Sequence, residues 1–416
     1  MNSDIDTVGF LRRFRVVKIC VVSPYAHLSG HHWPNAVQLA EALENAGCEV
    51  RLLTSARPDA NCPACATIRC QSVVAWLNPI YKWLDHDRKR TRVLFAFLQN
   101  FENAAVMMAA LPMVFSGWHL HFIDARHFLL TLYVILFPVR ATYLLAGPCL
   151  SGADISPSGE QKTPWKKRFV QFLFEWAFRT GRLRFNCETD AVRDNWLVWL
   201  PFAQIQTIPV GIQIPEKIAT KSEARKALGL PLDQPVFLIF GTHRMDKDYQ
   251  TVARAAKICP DRPHLLFAGP LISDNDPKLA LDQQNFHDAT VLNQFVSDEM
   301  VDHLFAACDA LILPYPADFD RGSVVLLQAA KYLRPVIATN GVLFGSFVPD
   351  NEVGILYECG DVEQLAARMS QIRQMLLADA GKLPFEDGLL KTRLKYSWKT
   401  IVAEYIAHFQ RTGSKG

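Results

Sequence analysis

Strand-like and helix-like segments alternate along this chain, and that alternation limits its fold more than any other feature. The β-branched run Val16–Val22 is followed by a polar loop, a helical pattern from Pro34 to Leu43, and a second apolar run, Val50–Thr54. Short β-branched runs of this kind are typical of strands that are buried on both faces of a parallel sheet. Because parallel strands need a crossover connection, this order predicts a β-α-β unit.

The same order returns in the second half of the chain. Strands are predicted at 235–240, 264–268, 310–314 and 335–339, with helices at 249–258 and 323–332. A length of 416 residues suits two or three domains. We therefore predict an α/β protein with two Rossmann-like domains in tandem. The first domain covers 1–207 and is closed by a C-terminal amphipathic helix at about 394–412 that crosses back to it, and the second covers 208–393.

Composition excludes several classes of protein. Half of the residues are hydrophobic and 20% are charged, so the chain is not intrinsically disordered. Its net charge of only +3 gives no indication of a nucleic-acid partner. Ten cysteines form no dense framework, which favours a reducing compartment and a cytoplasmic protein. Cys62, Cys65 and Cys70 offer three thiols without a neighbouring histidine, fewer than the four ligands of a structural zinc site, so we predict no metal.

Two segments bear on membrane contact. Ala104–Ile123 has no charged residue and reaches the length of a membrane span, but Pro112 and Gly117 interrupt it, so we predict a helix end, a turn and a strand. Lys162–Arg184 combines basic and aromatic residues. It suits peripheral contact with anionic lipid headgroups at the inner face of the plasma membrane, or an amphipathic helix packed on the sheet with a solvated basic end.

The loop after the strand at 235–240 is the most informative part of the sequence. Open α/β sheets bind ligands beyond the carboxyl ends of their strands. In Gly241–Asp248, Arg244 and Lys247 stand three residues apart directly after a strand end. A guanidinium fork and an ammonium group there suit a diphosphate. The alternative is an exposed basic loop that is simply solvated beside Asp246 and Asp248.

A second loop, Leu313–Ser323, leads into a predicted helix. Gly322 and Ser323 stand at the helix start, followed by Val324. The free backbone N–H groups and the positive end of the helix dipole make such a position an anion site. The alternative is an ordinary serine cap with no ligand.

Six motifs in order resemble the retaining glycosyltransferases of the GT-B architecture, and most closely their large family 4. They are Ser29–His31 with Gly47–Val50, Thr207–Ile212, Gly241–Lys247, Asp320–Gln328, Arg334–Thr339 and Tyr396–Trp398. The resemblance covers nearly the whole chain, and it implies transfer of a sugar from a nucleotide-diphosphate sugar with retention of anomeric configuration. It further implies a glycan or lipid-linked saccharide as acceptor, in the biosynthesis of cell-surface polysaccharides or glycoconjugates. No cofactor is implied.

The resemblance also assigns roles to residues. The donor residues are Gly241, Arg244, Lys247, Gly322, Ser323, Val324 and Gln328, with Gln328 at the position that contacts the ribose. The catalytic candidates are Asp320 and two histidines, His119 and His121, in a segment similar to the "H-x-H" strand of the family. Apart from the resemblance, the acceptor candidates are Gly30, His31, His32 and Trp33, because an aromatic ring beside polar groups suits sugar rings; the alternative for Trp33 is a core residue at the helix start. A metal-independent site is expected.

The chain also departs from the family pattern. Asp320 and Gln328 stand where the family has two glutamates, and Ala141–Pro148 lacks the usual histidine. Isolated histidines are also more often structural than catalytic. These departures favour an alternative function, in which a GT-B protein binds a nucleotide sugar with weakened or no catalysis and acts through a partner. A GT-B sugar epimerase or a glycogen-type enzyme fits the length and loops no better.

Overall fold

The computed structural model describes residues 17–24, 32–55, 69–84, 88–123, 125–145, 165–215, 217–320, 323–378 and 383–411. The chain divides into two compact units. Unit 1 consists of Met1–Gly211 and Trp398–Gly416, and unit 2 of Ile212–Ser397. The cysteines Cys62 and Cys65 lie outside the described residues.

Unit 1 is built on a parallel sheet whose strand order is β3-β2-β1-β4-β5-β6-β7. The strands are β1 (Lys18–Ser23), β2 (Glu49–Thr54), β3 (Arg69–Ser72), β4 (His119–Phe122), β5 (Arg140–Leu145), β6 (Leu183–Cys187) and β7 (Ile205–Thr207). The helices are α1 (His32–Asn45), α2 (Asn78–Leu84), α3 (Arg88–Ala109), α4 (Leu111–Phe115), α5 (His127–Leu136), α6 (Trp165–Arg179) and α7 (Asp190–Trp199). β1 and β2 pair in parallel, which confirms the predicted β-α-β unit.

The two faces of this sheet carry different layers, because neighbouring side chains on a strand point to opposite sides. Leu120 and Phe122 of β4 belong to a core that includes Met107 of α3, Leu130 of α5 and Phe174 of α6. His119 and His121 of the same strand instead face the C-terminal helix, Trp398–Arg411, which we number α16. α16 also contacts α1 within unit 1, as the predicted return of the chain requires.

Gly211 is the residue that lets α16 begin where it does. A Cβ at this position would lie only 2.3 Å from Cδ2 of the Trp398 indole, so no larger residue fits without displacing the ring. The indole Nε1 donates a 3.0 Å hydrogen bond to Gln38 Oε1 of α1. Gly211, within the motif Thr207–Ile212, therefore leaves the room in which Trp398, the first residue of α16, packs.

Unit 2 has a parallel sheet of order β10-β9-β8-β11-β12-β13. The strands are β8 (Val236–Phe240), β9 (His264–Ala268), β10 (Ala289–Leu292), β11 (Ala310–Leu313), β12 (Val336–Thr339) and β13 (Gly354–Tyr357). The helices are α8 (Lys221–Leu228), α9 (Tyr249–Ile258), α10 (Pro277–Gln284), α11 (Asp298–Ala307), α12 (Val324–Lys331), α13 (Phe344–Asp350), α14 (Val362–Ala378) and α15 (Glu386–Lys395). With two parallel α/β sheets, the predicted fold class is confirmed.

The predicted interruption of Ala104–Ile123 is also confirmed, since α3 ends at Ala109, α4 covers Leu111–Phe115 and β4 begins at His119. By length and composition alone, the stretch Val93–Phe115 is apolar enough to cross a membrane. That criterion is weak evidence, because a core helix meets it as well. In unit 1, Val106, Met107 and Met113 of this stretch are buried in the core.

Candidate functional site

The carboxyl edge of the unit 2 sheet brings two glycines into close contact. Gly241 follows β8 with φ +93°, a left-handed conformation that favours glycine. Gly269 follows β9, and a Cβ there would lie 2.4 Å from the Gly241 carbonyl oxygen. The loop after β8 therefore packs closely against the end of β9. The carbonyl oxygens of Phe240 and Gly241 at its start face the side chain of Lys247.

Lys247 is the buried cation of this loop, with only 4% of its surface exposed. Its Nζ donates to the carbonyl oxygens of Phe240 at 2.9 Å and Gly241 at 3.1 Å. An ammonium group has three N–H donors, so one remains for a ligand. Burial and the neighbouring Arg244 charge lower the pKa of Lys247 to about 7, opposed by Asp246. An arriving anion would favour the protonated form.

Arg244 lies beside Lys247 and is half-buried. Its Nε and Nη2 donate to the two carboxylate oxygens of Asp246, at 3.1 and 2.8 Å. The ring of Tyr315 lies 6.0 Å from the Arg244 guanidinium carbon and 5.7 Å from Lys247 Nζ, so both cations approach the same ring. The two cations predicted from the sequence thus come together in the structure.

The loop is held by groups to which the sequence analysis gave no role. Asn275 Nδ2 donates to the carbonyl oxygens of Arg244 and Lys247, both at 2.8 Å. His243 Nδ1 lies 2.6 Å from the Tyr249 hydroxyl. Burial and the Lys247 charge lower the pKa of His243 to about 4, which keeps the imidazole neutral. Asn275 and Tyr315 stand in strand-to-helix loops, which is the one signal in the sequence that could have found them.

The start of α12 reaches the same place. Ser323 caps the helix, and its hydroxyl accepts from the Leu326 N–H at 3.3 Å. A Cβ placed on Gly241 would lie 3.5 Å from Cγ2 of Val325 and 3.7 Å from Lys247 Nζ. The first turn of α12, which begins at Val324, is therefore a neighbour of Gly241 and Lys247. Gly322 lies outside the described residues.

The side-chain oxygen of Gln328 is a hydrogen-bond acceptor without a donor in the described residues. Its Oε1 is buried, and no residue in the described part of unit 2 donates to it. The hydroxyl of Thr339, at the end of β12, is also buried and has no hydrogen-bond partner in the described residues. Because an unsatisfied buried polar atom costs about 1–3 kcal/mol, such atoms are good positions for ligand hydroxyls or water.

Asp320 lies half-buried at the end of a firmly held loop. The Ala317 carbonyl accepts from Val342 N at 2.8 Å, and the Phe319 ring stacks on Phe344 with an interplanar angle of 3°. This packing fixes the backbone that leads into Asp320. The catalytic role predicted for Asp320 stays a prediction.

The two other catalytic candidates lie in unit 1, beneath α16. His119 Nε2 and His121 Nδ1 lie 3.1 and 2.7 Å from the hydroxyl of Thr142. The Phe409 ring packs against both imidazoles. Burial lowers the pKa of both, to about 3 for His121, so both are neutral. Their catalytic role stays a prediction, and this packing favours the structural alternative.

The predicted acceptor residues are only partly covered by the structure. Gly30 and His31 lie outside the described residues. The backbone of His32 and Trp33 forms the first turn of α1, and their side chains are not among those described. In the described part of the chain, no group of three or more His, Cys, Asp or Glu side chains could hold a metal ion.

Comparisons with known proteins agree with this architecture. The chain aligns over 97% of its length with all of a glycosyltransferase structure from Rickettsia africae, with a TM-score of 0.72 and 14% identity. It aligns over 95% of its length with all of the Anabaena HepE chain in complex with UDP, with a TM-score of 0.67 and 14% identity. At such identities the likeness defines the fold. Two Rossmann-like units of this kind define the GT-B class of protein.

The sequence comparison gives a family match for part of the chain. The model "Glycosyl transferases group 1" matches residues 220–375, within unit 2 and including the site around Gly241. Residues 220–375 therefore match the group 1 glycosyltransferases, and the predicted resemblance to retaining family 4 is confirmed. It is 32% identical over 137 residues to Bacillus subtilis (strain 168) TuaC, which is assigned to teichuronic acid biosynthesis as a glycosyltransferase. That match spans about a third of each protein, 32% of both lengths.

Proposed function

We propose that the protein is a retaining glycosyltransferase that moves a sugar from a nucleotide-diphosphate sugar to a glycan or lipid-linked saccharide. The observation that carries the proposal is that Lys247 and the first turn of α12 meet at Gly241, with Arg244 beside the same Tyr315 ring as Lys247. The relation to TuaC supports a role in cell-surface polysaccharide or glycoconjugate biosynthesis. The UDP in the HepE structure supports a nucleoside diphosphate as the leaving group.

The difficulty of this reaction is the charge that develops on the leaving group. As the bond between the sugar C1 and the phosphate oxygen breaks, the diphosphate becomes more negative and the sugar gains oxocarbenium character. Fixed positive groups aimed at the diphosphate stabilise that transition state more than the ground state. Lys247 with its remaining N–H donor, Arg244 and the amides at the start of α12 supply such groups.

Lys247 and Arg244 stabilise the diphosphate in different ways, because their surroundings differ. The Lys247 ammonium is fixed by two carbonyl oxygens, so its remaining donor is oriented before a ligand arrives. Arg244 pairs with Asp246 and is more exposed, so it can exchange part of that pairing for a phosphate oxygen. Tyr315 beside both cations supplies the face of an aromatic ring.

The remaining donor contacts follow from α12. Ser323 and Val324 offer backbone N–H groups at the helix start, where the dipole favours an anion. One turn further along, the unpaired Gln328 Oε1 is an acceptor for a ribose hydroxyl. In this proposal Asp320, on the loop that leads to this helix, interacts with the donor sugar. Gly241 leaves room for the diphosphate because it has no side chain.

The second candidate function is nucleotide-sugar binding with weakened or no turnover, acting through a partner. The observation that favours it is the pair Asp320 and Gln328, which replaces two glutamates of the family pattern. A neutral amide forms weaker hydrogen bonds to hydroxyl groups than a carboxylate does. Both candidates require the same diphosphate site, so they differ only in the outcome after binding.

A two-stage experiment tests the proposal. First, the melting temperature of the full chain is measured with a panel of nucleoside diphosphates and their sugars, because ligands that bind only the folded state raise it. We expect at least one nucleotide to stabilise the protein. The same nucleotide should lose this effect in the variants Lys247→Met and Arg244→Ala. Their matched controls are Lys257→Met and Arg254→Ala, exposed cations on α9 of the same unit.

In the second stage, release of nucleoside diphosphate is followed with each stabilising sugar nucleotide, with and without saccharide acceptors. Acceptor-dependent release with transfer of the sugar supports the enzyme. Binding without release over many hours supports the second candidate. If no nucleotide binds, or if Lys247→Met binds as well as the wild type, the proposed site is wrong and both candidates fail.

A further inference from the structure

Helix α5 of unit 1 has an unusual position for its composition. Its ten residues, His127–Leu136, include no Asp, Glu, Lys or Arg. Leu130, Tyr133 and Val134 are buried in the core. A helix that is apolar on all sides is expected to be covered on all sides. Instead, its outward residues Phe128, Leu132 and Leu136 are exposed, Leu136 by 63%.

The neighbouring helix α6 has the same character. Trp165, Phe169, Phe172 and Trp176 follow one another at spacings of four, three and four residues, which places them on one helix face. All four are exposed, whereas Phe174 on the opposite face is fully buried. α5 and α6 are in contact, and the rings of Phe128 and Phe169 lie 6.5 Å apart.

Helix α3 extends this apolar surface on the other side of α5, which it contacts. Leu94, Phe97 and Phe101 are exposed at spacings of three and four residues, while Val106 and Met107 of the same helix are buried. The inner faces of α3, α5 and α6 all pack into one core. Their exposed apolar residues therefore face away from the sheet on neighbouring helices. We call them the outer apolar surface.

The charges of these three helices are strongly one-sided. They carry eight Lys or Arg residues and two Glu residues, a net charge of +6, whereas the whole chain has only +3. Seven of the eight stand in the first five residues of α3 or in the first four of α6. Glu102 is buried and accepts from the Tyr81 hydroxyl, and Glu175 pairs with Arg179.

Both basic helix starts lie toward the same edge of unit 1. All strand pairings of its sheet are parallel in the described residues, so a helix that leads into the next strand runs back from the carboxyl edge. α3 leads through α4 into β4, and α6 leads into β6. The starts of α3 and α6, which are basic in sequence, thus lie toward one edge of the outer apolar surface, and we call these two helix starts the basic border.

We propose that this surface docks unit 1 onto a lipid bilayer that contains anionic lipids. The combination of exposed Trp, Phe and Leu with a basic border is what an interfacial membrane site requires. Basic residues near an anionic leaflet add attraction that a neutral surface lacks. A second copy of the chain is a poorer occupant, because a two-fold contact would bring two surfaces of charge +6 together. The docking does not depend on the proposed catalytic activity.

The segment Val93–Phe115 then lies along the bilayer rather than across it. Its second half packs in the core of unit 1, where Val106 and Met107 are buried, and it contains the buried Glu102. The first half contributes Leu94, Phe97 and Phe101 to the outer apolar surface. Withdrawing this helix into a bilayer would therefore expose the core of unit 1.

Sedimentation of the full chain with vesicles tests the proposal. Vesicles of phosphatidylcholine alone are compared with vesicles of phosphatidylcholine and phosphatidylglycerol at about 7:3, where anionic headgroups should add attraction. We expect binding to the anionic vesicles. The double variant Leu132→Glu with Phe172→Glu should lose at least tenfold in binding constant. Its control is Leu279→Glu on α10, an apolar residue of comparable exposure in unit 2, which should bind as the wild type does.

A second variant separates charge from apolar contact. Replacing Lys166, Lys167 and Arg168 by Gln should lower binding to anionic vesicles roughly a hundredfold and leave binding to phosphatidylcholine unchanged. Unchanged melting temperatures, and an unchanged response to the nucleotide that stabilises the wild type, show that the variants are folded.

Three results would overturn the proposal. The wild type could fail to bind anionic vesicles, or the Leu132→Glu, Phe172→Glu variant could bind them as well as the wild type. The wild type could also be a dimer that this variant dissociates while vesicles stay unbound, which would assign the surface to a second copy. None of these results depends on glycosyl transfer, so the proposed function can fail or succeed independently.

Discussion

Unit 1 and unit 2 both bury ionisable side chains beside a parallel sheet, but at different positions along the strands. In unit 1, His119 is the first residue of β4 and His121 the third. In unit 2, Lys247 bonds to the carbonyl oxygens of Phe240, the last residue of β8, and of Gly241. Open α/β sheets bind ligands beyond the carboxyl ends of their strands. Position along the strand therefore separates a group available to a ligand from one that packs in the interior.

The perturbed pKa values alone do not make this distinction. Burial lowers the pKa of Lys247 to about 7 and that of His121 to about 3. The difference lies in what surrounds each group. Rings of Phe409 and Tyr405 pack around His121, whereas Lys247 bonds to two carbonyl oxygens and lies beside the same Tyr315 ring as the charged Arg244. A strongly shifted pKa indicates a ligand site only together with such charged and polar neighbours.

The largest effect is expected from Lys247→Met. The substitution keeps most of the apolar stem and removes a charged donor, so the Kd for the stabilising nucleoside diphosphate should rise by roughly tenfold to a hundredfold. Calorimetric titration of the wild type, Lys247→Met and the control Lys257→Met measures it. An equal loss of nucleotide affinity in Lys257→Met would show a general effect of charge rather than a contact of Lys247 with the ligand near Gly241.

Unit 1 should respond to acid because its buried histidines are neutral. The unfolded chain binds protons at a pKa near 6.5 and the folded unit much lower, so the free energy of unfolding falls as pH drops below 6.5. Between pH 7 and pH 5 we expect a loss of up to about 2 kcal/mol for each histidine. His121→Phe should flatten this dependence, whereas His287→Phe, at an exposed site in unit 2, should not.

Tryptophan fluorescence measures this loss for one unit alone. All nine tryptophans of the chain stand in the sequence of unit 1 and none in that of unit 2. Urea unfolding followed by this signal at pH 5, 6 and 7 therefore reports unit 1. A free energy of unfolding that stays constant across this range would mean that the histidines are not buried as neutral groups.

The pH dependence of nucleotide binding should have the opposite sign. Lys247 must be protonated to bind an anion, and its pKa in the free protein is about 7. The Kd for a nucleoside diphosphate should therefore rise with pH between 7 and 9, by up to tenfold per unit, until the higher pKa of the complex is reached. The terminal phosphate ionises near pH 6, below this range. If the Kd of Lys247→Met rises with pH as steeply as that of the wild type, the titrating group is not Lys247.

The smallest effect is expected from Gln328→Glu. A carboxylate accepts hydrogen bonds from ribose hydroxyls more strongly than an amide does, so the nucleotide Kd should fall about fivefold, equivalent to about 1 kcal/mol. Comparing the nucleoside diphosphate with free pyrophosphate isolates the ribose contribution. A higher Kd of the Gln328→Glu variant for the nucleotide would mean that the neutral Gln328 is suited to a different ligand.

The sequence predicts closely four of the six strands and two of the eight helices that the structure describes in unit 2, because short apolar runs and helical repeats alternate there. Helix 249–258 and strand 264–268 have the bounds that were predicted. Arg244 and Lys247 were found for a related reason, since they directly follow a strand end. The contact of Gly241 with the start of α12 joins segments about 80 residues apart, so only the sheet order brings them together.

Other parts of the site depend on packing that local pattern does not encode. Asn275 and Tyr315 hold or flank the two cations from other loops, and their residue types are common in loops of any kind. The histidines of β4 resembled a catalytic motif because alternating polar residues on a strand indicate one distinct face. The pattern does not say what covers that face, and in unit 1 the cover is α16, which lies almost 300 residues further along the chain.

Both candidate functions require that unit 2 holds a diphosphate at Lys247. A crystal structure of the full chain with its stabilising nucleoside diphosphate tests this directly. We predict phosphate oxygens at about 3 Å from Lys247 Nζ and from backbone nitrogens at the start of α12, with Arg244 in contact and Gln328 Oε1 paired with the ribose. A nucleotide bound elsewhere, with Lys247 still bonded only to the carbonyls of Phe240 and Gly241, would contradict it.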